Sequence, residues 1–468
     1  MKIKYILTIT AALSLTLNSC EKKLNLTPEQ DLTESTIFSS ASTARSAVSG
    51  LYSTAQTLDF YGSLPQVIEE YMGDNVEFVG SFPTLQEIRD FTTVSTNANV
   101  SNIWQVHYEV ITRSNKIIAR IANVPGLSPE EISQFTGEAK FMRALAYFQL
   151  VNQFAQPFQV SNGTNLGVPL VLEEFTGDIT LPARNTVNEV HAQIQKDLEE
   201  ATVALPASYA TDSETRGRAT KGAAFALLSR LKLYREEWPA ATAAARATLA
   251  TGQYTLAPDY SFYDANTSED VFSIQNSAVD NGANGSGGWA SYYSPTALGG
   301  RGDAPFSQSL IDAYEVEKTD LRYLLKLTGV AADAQSKVFT TKFPDAVNNA
   351  DNSPVLRTTE VYLNLAEALA HETALNPEAI LILNTLRRRA GLGSKLIFTS
   401  QQNLVDAILL ERRKELAFEG HRRMDLLRNR QNLREADPLA AFGGDKTVLP
   451  IPQREIDNNP SLTPNPGY

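Results

Sequence analysis

Helical periodicity recurs along this chain in separated blocks, and no other feature constrains the fold as strongly. Between Asn99 and Asn123, Ile103, Val106, Val110, Ile111, Ile117, Ile118 and Ile121 fall at spacings of mainly three, four and seven, which sets them on one stripe of a helix. Ser128-Pro129-Glu130-Glu131 reads as a helix start, with an N-cap serine, proline in the first turn and acids facing the helix dipole; it predicts a helix to about Phe154. Asn185-Thr186 opens another, to about Ala204. Thr220–Tyr234 with Trp238–Leu249, and Val355–His371 with Pro377–Ala390, predict two close helical pairs. Gln402–Glu419 is the last long helix, and the pattern returns from Arg422 to Arg428.

These blocks share a texture. AKFMRALAYFQL, KGAAFALLSRLKLY and EVYLNLAEALA each set alanine where helices touch and larger apolar side chains beside it. The fold class expected is mainly α, a scaffold of about four tetratricopeptide-like helical pairs near residues 99–154, 186–250, 355–391 and a weak last one. Long insertions separate the pairs. Residues 60–98 are mixed and aromatic, residues 155–184 are rich in glycine and proline, and residues 251–354 form the largest non-helical block, with Val271–Ile274 as a short strand. The tail from Ala436 is proline-rich and extended.

With 41 Lys+Arg against 53 Asp+Glu, the net charge of −12 argues against nucleic acid as the main partner. Hydrophobic residues at 43% exclude wholesale disorder. The N-terminus reads as an address. Lys2 and Lys4 precede an apolar run from Ile6 to Leu17, too short for a comfortable membrane span, and Leu17-Asn18-Ser19-Cys20 ends it like a bacterial lipobox. Cys20 is the one cysteine in the chain, so it is the expected lipid-attachment residue, and the body holds no disulfide and no thiolate site. Residues 1–19 are expected to be a lipoprotein signal peptide, residues 20–35 the lipidated cysteine and a polar tether, and residues 36–468 the folded body, with an N-terminal part to about 250 and a C-terminal part from about 251.

Nothing in the motifs points to catalysis. His107, His191, His371 and His421 share no metal-ligand spacing, and no nucleophile elbow, P-loop or dinucleotide fingerprint is present. Glu69-Glu70 and Glu173-Glu174 are adjacent acids that read as solvated surface groups, and Arg301-Gly302-Asp303 is a chance tripeptide. Neither a catalytic residue nor a cofactor or metal is expected. The chain does offer stacking. Trp289, Tyr292 and Tyr293 follow the run NGANGSGG, and a sugar binds by laying its C–H face on such a ring while amides and acids take its hydroxyls. Asp74 and Asn75 offer such polar partners in another insertion. The same aromatics could instead pin the insertion to the helical body; for Phe78 and Phe82 that is the preferred reading.

Five segments carry a family resemblance: LNLTPEQDLTESTIFSSASTARSAVSGLY, RTTEVYLNLAEALA, LNTLRRRAGLG, ILLERRKELAFEGHRRMDLLR and the closing VLPIPQREIDNNPSLTPNPGY. In order and over nearly the whole chain after Cys20, they resemble the SusD/RagB family of outer-membrane nutrient-binding lipoproteins from Bacteroidetes. The resemblance implies an α-helical scaffold with a loop-rich ligand-binding half. It implies a lipid-anchored, surface-exposed protein that captures glycans, or in some members peptides, and passes them without catalysis to a SusC-like TonB-dependent transporter. Ligand residues carry over only by region, which selects Trp289, Tyr292, Tyr293, Asp74 and Asn75. Glu411, Glu415 and Glu419 recur every four residues beside Arg412, Arg413, Arg422, Arg423 and Asp425, a pattern for partly buried ion pairs, and Gly420 permits a sharp change of direction.

Overall fold

The computed structural model describes residues 36–264, 266–282, 287–393, 397–435 and 437–468. Cys20, the signal sequence and the tether lie outside the described residues. The main helices are α1 Ala41–Ala55, α2 Leu64–Met72, α3 Ala98–Arg120, α4 Pro129–Phe154, α5 Val187–Ala204, α6 Lys221–Tyr234, α7 Trp238–Ala250, α8 Thr358–Glu372, α9 Pro377–Arg389, α10 Gln401–Leu416 and α11 Arg422–Arg428. Four short strands are described: β1 Asp270–Ile274, β2 Lys326–Val330, β3 Ser336–Thr340 and β4 Ser353–Arg357.

The helix starts are set locally. Ser128 and Thr186 each close a capping box, with Glu131 and Glu189 returning to the cap backbone. Thr220, Asn376 and Ser400 cap α6, α9 and α10 in turn. From α3 onward each helix packs on the next: α3 on α4, α4 on α5, α5 on α6, α6 on α7, α7 on α8, and α8 on α9 and α10. Alanine makes this close stacking feasible. Ala223, Ala224 and Ala226 of α6, Ala241, Ala244 and Ala245 of α7, and Ala366, Ala368 and Ala370 of α8 are all buried at these contacts. The main hydrophobic cluster runs from Ala44 to Leu462 and so spans both halves, and a second, smaller one gathers Ala257, Tyr260, Phe262, Ala390 and Leu392.

The expected helices are present; α1 and a helix at Gln308–Glu315, inside the block expected to be non-helical, are additions, and four further details differ. α8 begins at Thr358, because Ser353–Arg357 pairs antiparallel with β1 and is strand. α10 ends at Leu416, where Ala417 turns extended (ψ 137°) and Phe418 takes φ 70°. Residues 60–98 are less irregular than expected, since α2 and a second helix, Pro83–Arg89, lie within them and each starts on a proline in its first turn. The proline-rich tail is less extended than expected, with 3-10 turns at Pro438–Ala440 and Asp445–Thr447 and a short helix at Gln453–Asn458, again just after a proline.

Two small sheets organise the other half. β2 and β3 form a regular hairpin, and β1 pairs with β4 across a break in register at Phe272. That irregularity has a consequence. Strict alternation would put Asp270 and Ser273 on opposite faces; the bulge lets both face the same cavity while Phe272 stays in the core.

Candidate functional site

The charged signature at Glu411–Arg428 builds the inside of the protein. Arg322 binds Asp320 at 2.7 Å and Glu411 at 2.5 Å, Arg389 binds Glu415 at 2.9 Å, and Arg357 binds Glu419 at 2.7 Å and Glu269 at 3.0 Å. Around α11, Asp425 takes Arg412 and Arg428, each at 2.8 Å, and Arg230 reaches Glu360 at 2.5 Å. The side chains of all these groups are buried. Burial alone would raise these carboxyls, and at Glu411 it still does; at two others the neighbouring cations more than offset it, Arg389, Arg322 and Arg357 holding Glu415 at about 2, and Arg357 and Lys342 holding Glu419 at about 2. Gly420, at φ +78°, makes the turn between α10 and α11, and a Cβ there would meet the Gln66 Cα at 2.8 Å. Its N–H donates to Glu70. Ion pairs are present at this motif as expected, but its glutamates take Arg322, Arg389 and Arg357 from outside it, and of the residues the spacing sets side by side Arg412 and Asp425 pair with each other.

The five residues chosen for ligand contact are distributed differently. Trp289, Tyr292 and Tyr293 share a short helix, Trp289–Tyr293, whose every residue is buried. Trp289 is 2% exposed; its ring lies 4.8 Å from that of Phe343, and its Nε1 donates to Ser353 Oγ at 2.8 Å. Tyr293 packs edge-on against Phe418 at 5.4 Å. An open stacking platform on these rings is not what the structure shows: they pin the insertion to the body, as the other reading held. Tyr292 is covered by the Arg301 guanidinium at 4.5 Å, which also sits 4.1 Å from the ring of Phe82. Phe82, read as a pin, is instead 50% exposed. Asp74 pairs with Arg422 at 2.5 Å and Arg413 at 3.3 Å, and the buried Asn75 side chain bridges Glu70 and Arg413. Asp74 and Asn75 thus tie the first insertion to α10 and α11.

The other motifs are absorbed by packing. Glu69 pairs with Arg423 and Glu70 bonds Asn75 and Gly420, so the expected surface acids at this pair are buried. Burial raises Glu70 to about 7, partly offset by the Asn75 and Gly420 donors. Asp303 is buried against Arg301. His107 lies under Phe60, and His371 stacks on Trp238 at 4.1 Å.

A cavity of about 300 Å³ lies instead between β1, β4 and the segment before β4. Its apolar side is Phe262, Tyr263 and Phe343, with Arg357 beside the first two rings. The polar side is a chain of amides. Asn276 N–H donates to Asn352 Oδ1, Asn352 Nδ2 to Asn266 Oδ1, Asn266 Nδ2 to Gln275 Oε1, and Gln275 Nε2 to Ser273 Oγ. Asp270, Asp345 and Asp351 complete the wall, and burial pushes Asp270 up to about 6. Aromatic carbon on one side and aligned amides and acids on the other form a surface matched to a sugar, whose faces are apolar and whose edge carries hydroxyls. Sequence reasoning passed over these residues. The one signal was density of Asn and Asp, as in Asn348-Asn349-Ala350-Asp351-Asn352.

Known proteins share this architecture. Residues 334–468 match the SusD family model, and residues 23–233 match a SusD-like model described as starch-binding, associating with the outer membrane. The chain belongs to the SusD family. SusD-like protein P25 of Formosa agariphila is 27% identical over 96% of this chain and 97% of its own length. A SusD superfamily protein from Bacteroides thetaiotaomicron has a TM-score of 0.82 at 25% identity, over 91% of this chain and all of the other. A laminarin-binding SusD-like protein has a TM-score of 0.74 at 25% identity, over 92% of this chain and all of the other. SusD-like proteins of this kind bind carbohydrate at the outer membrane. Among the described residues, no helix is long and apolar enough to cross a membrane.

Proposed function

We propose that this SusD-family protein is a lipid-anchored, surface-exposed outer-membrane protein that binds glycans without catalysis and hands them to a SusC-like TonB-dependent transporter. The observation that carries the glycan reading is the cavity beside β1 and β4, aromatic on one side and lined with amides and carboxylates on the other. The laminarin-binding relative of the same fold supports it. The anchor rests on Cys20 at the end of the apolar N-terminal run, and multiple acyl chains there give durable attachment. Calorimetric titration of the purified full-length protein with neutral oligosaccharides, laminarin among them, and with oligopeptides tests the ligand class. Saturable heat with a sugar and none with peptides is expected. Heat with peptides alone would replace glycan by peptide as the cargo. In cells, Cys20→Ala should move the protein out of the outer-membrane fraction, and the wild-type protein should co-purify with a TonB-dependent barrel.

A further inference from the structure

The geometry points to a narrower role for the cavity: it receives one neutral sugar ring at the end of a glycan chain and disfavours acidic sugars. This rests on the carbohydrate reading above and specifies its ligand. At about 300 Å³ the cavity lies at the small end of the ~300–1,000 Å³ range of ligand pockets, which suits a single ring and not a stretch of chain. Phe262, Tyr263 and Phe343 close one side of it. A polymer running across the surface would need an open groove, whereas a ring entering here must be a terminus.

The charge preference follows from the donors and acceptors. The cation at the cavity is Arg357, and its guanidinium is committed to Glu419, to Glu269 and to the Glu415 carbonyl. Its charge is matched by those two carboxylates before any ligand arrives. The remaining polar wall mostly accepts. Asn276 lines the cavity, and its buried Oδ1 has no hydrogen-bond partner, an acceptor that the fold leaves unused. Asn276 spends its own donors elsewhere, its Nδ2 on the Asp351 carbonyl and its N–H on Asn352. Asp270 and Asp345 supply further acceptor oxygens. Hydroxyls of a neutral sugar can donate to all of these. A uronate or sulfated sugar would bring a second anion against them with no uncommitted cation to receive it, and that costs binding.

Saturation-transfer NMR on the purified full-length protein tests this with glucose, galactose, mannose and xylose, and with glucuronate and galacturonate. At least one neutral monosaccharide should bind, with its uronate counterpart at least tenfold weaker. Asn276→Ala should weaken that binding about tenfold while thermal unfolding followed by circular dichroism stays cooperative. Asp345→Ala, on the exposed side of the cavity, should do the same if Asn276→Ala fails to fold. A uronate that binds as well as its neutral parent would overturn the inference, as would sugar binding indifferent to both variants. Oligosaccharide binding that strengthens steadily with chain length, with no monosaccharide response, would also refute it and leave the carbohydrate reading standing. No response to any monosaccharide or oligosaccharide would remove both.

Discussion

The two charged regions of this protein handle their charges in opposite ways. Around α10 and α11, arginines and carboxylates are buried together, and most partners are shared: Glu419 takes both Arg357 and Lys342, and Asp425 takes both Arg412 and Arg428. Around the cavity, Asn276 keeps acceptor capacity that the fold does not use. A network whose members hold one another in place cannot also hold a ligand. The difference explains why a motif as dense as Glu411–Arg428 builds the scaffold, while a sparse set of amides is the better candidate for binding.

The largest test of this contrast is acid. Glu360, Glu415 and Glu419 are buried, but Arg230, Arg389 and Arg357 respectively lead the groups that hold them at about 2, below the ordinary 4.5. Their stabilisation is present above 4.5 and is lost as pH falls toward 2. At milder pH two sets oppose each other. Burial lowers His107 and His421 to about 4 and His191 to about 3, so stability falls as pH drops below 6.5. Burial raises Asp59 and Asp270 to about 6 and Glu70 to about 7, so their burial penalty is relieved over much the same interval. Denaturant midpoints should therefore be nearly flat between about pH 7 and 5 and collapse below about 4. A steep loss already between pH 7 and 5 would mean that the network does not dominate.

A single break in the network comes next. Arg322→Met leaves Asp320, Glu411 and Glu415 facing one another with their shared cation gone. Breaking a buried pair from one side typically costs about 3–5 kcal/mol, read as a shift in the urea midpoint at constant slope. A loss under about 1 kcal/mol would show that water reaches these carboxylates.

The same contrast marks what the sequence could tell. Helix starts were legible because the cap is local: Ser128 with Glu131 and Thr186 with Glu189 are three residues apart. The β4 strand was not, because Val355-Leu356 suits a helix or a strand, and the choice is made by β1, more than 80 residues earlier in the chain. Gly420 marked the break after α10, yet the helix stops earlier, where Phe418 adopts a left-handed conformation that no local pattern announces. Trp289 looked open in its run of glycine and asparagine; Phe343 and Ser353, which enclose it, are distant in sequence. The cavity was illegible for the same reason. Asn266, Asn276 and Asn352 mean little until a bulged strand brings them together.

The smallest effect sharpens the contrast from the other side. Arg246 and Glu378 form an ion pair at 2.5 Å between α7 and α9, but their side chains are 53% and 46% exposed. Arg230 and Glu360 pair at the same 2.5 Å between α6 and α8, with both side chains buried. Residue types and shortest distance are matched; what differs is solvent, together with the two-point contact of Arg230 Nε and Nη2 on Glu360 where Arg246 reaches Glu378 through Nη2 alone. Water screens the outer pair, and holding two long side chains together costs rotamer entropy, so Arg246→Ala should change stability by about 0.5 kcal/mol or less. That change should shrink further in 1 M salt, where the Debye length falls to about 3 Å. If Arg246→Ala instead matched the cost of removing a buried arginine, contact distance and not burial would be setting the strength of these pairs, and the division between an ionic scaffold and an uncommitted cavity wall would lose its physical basis.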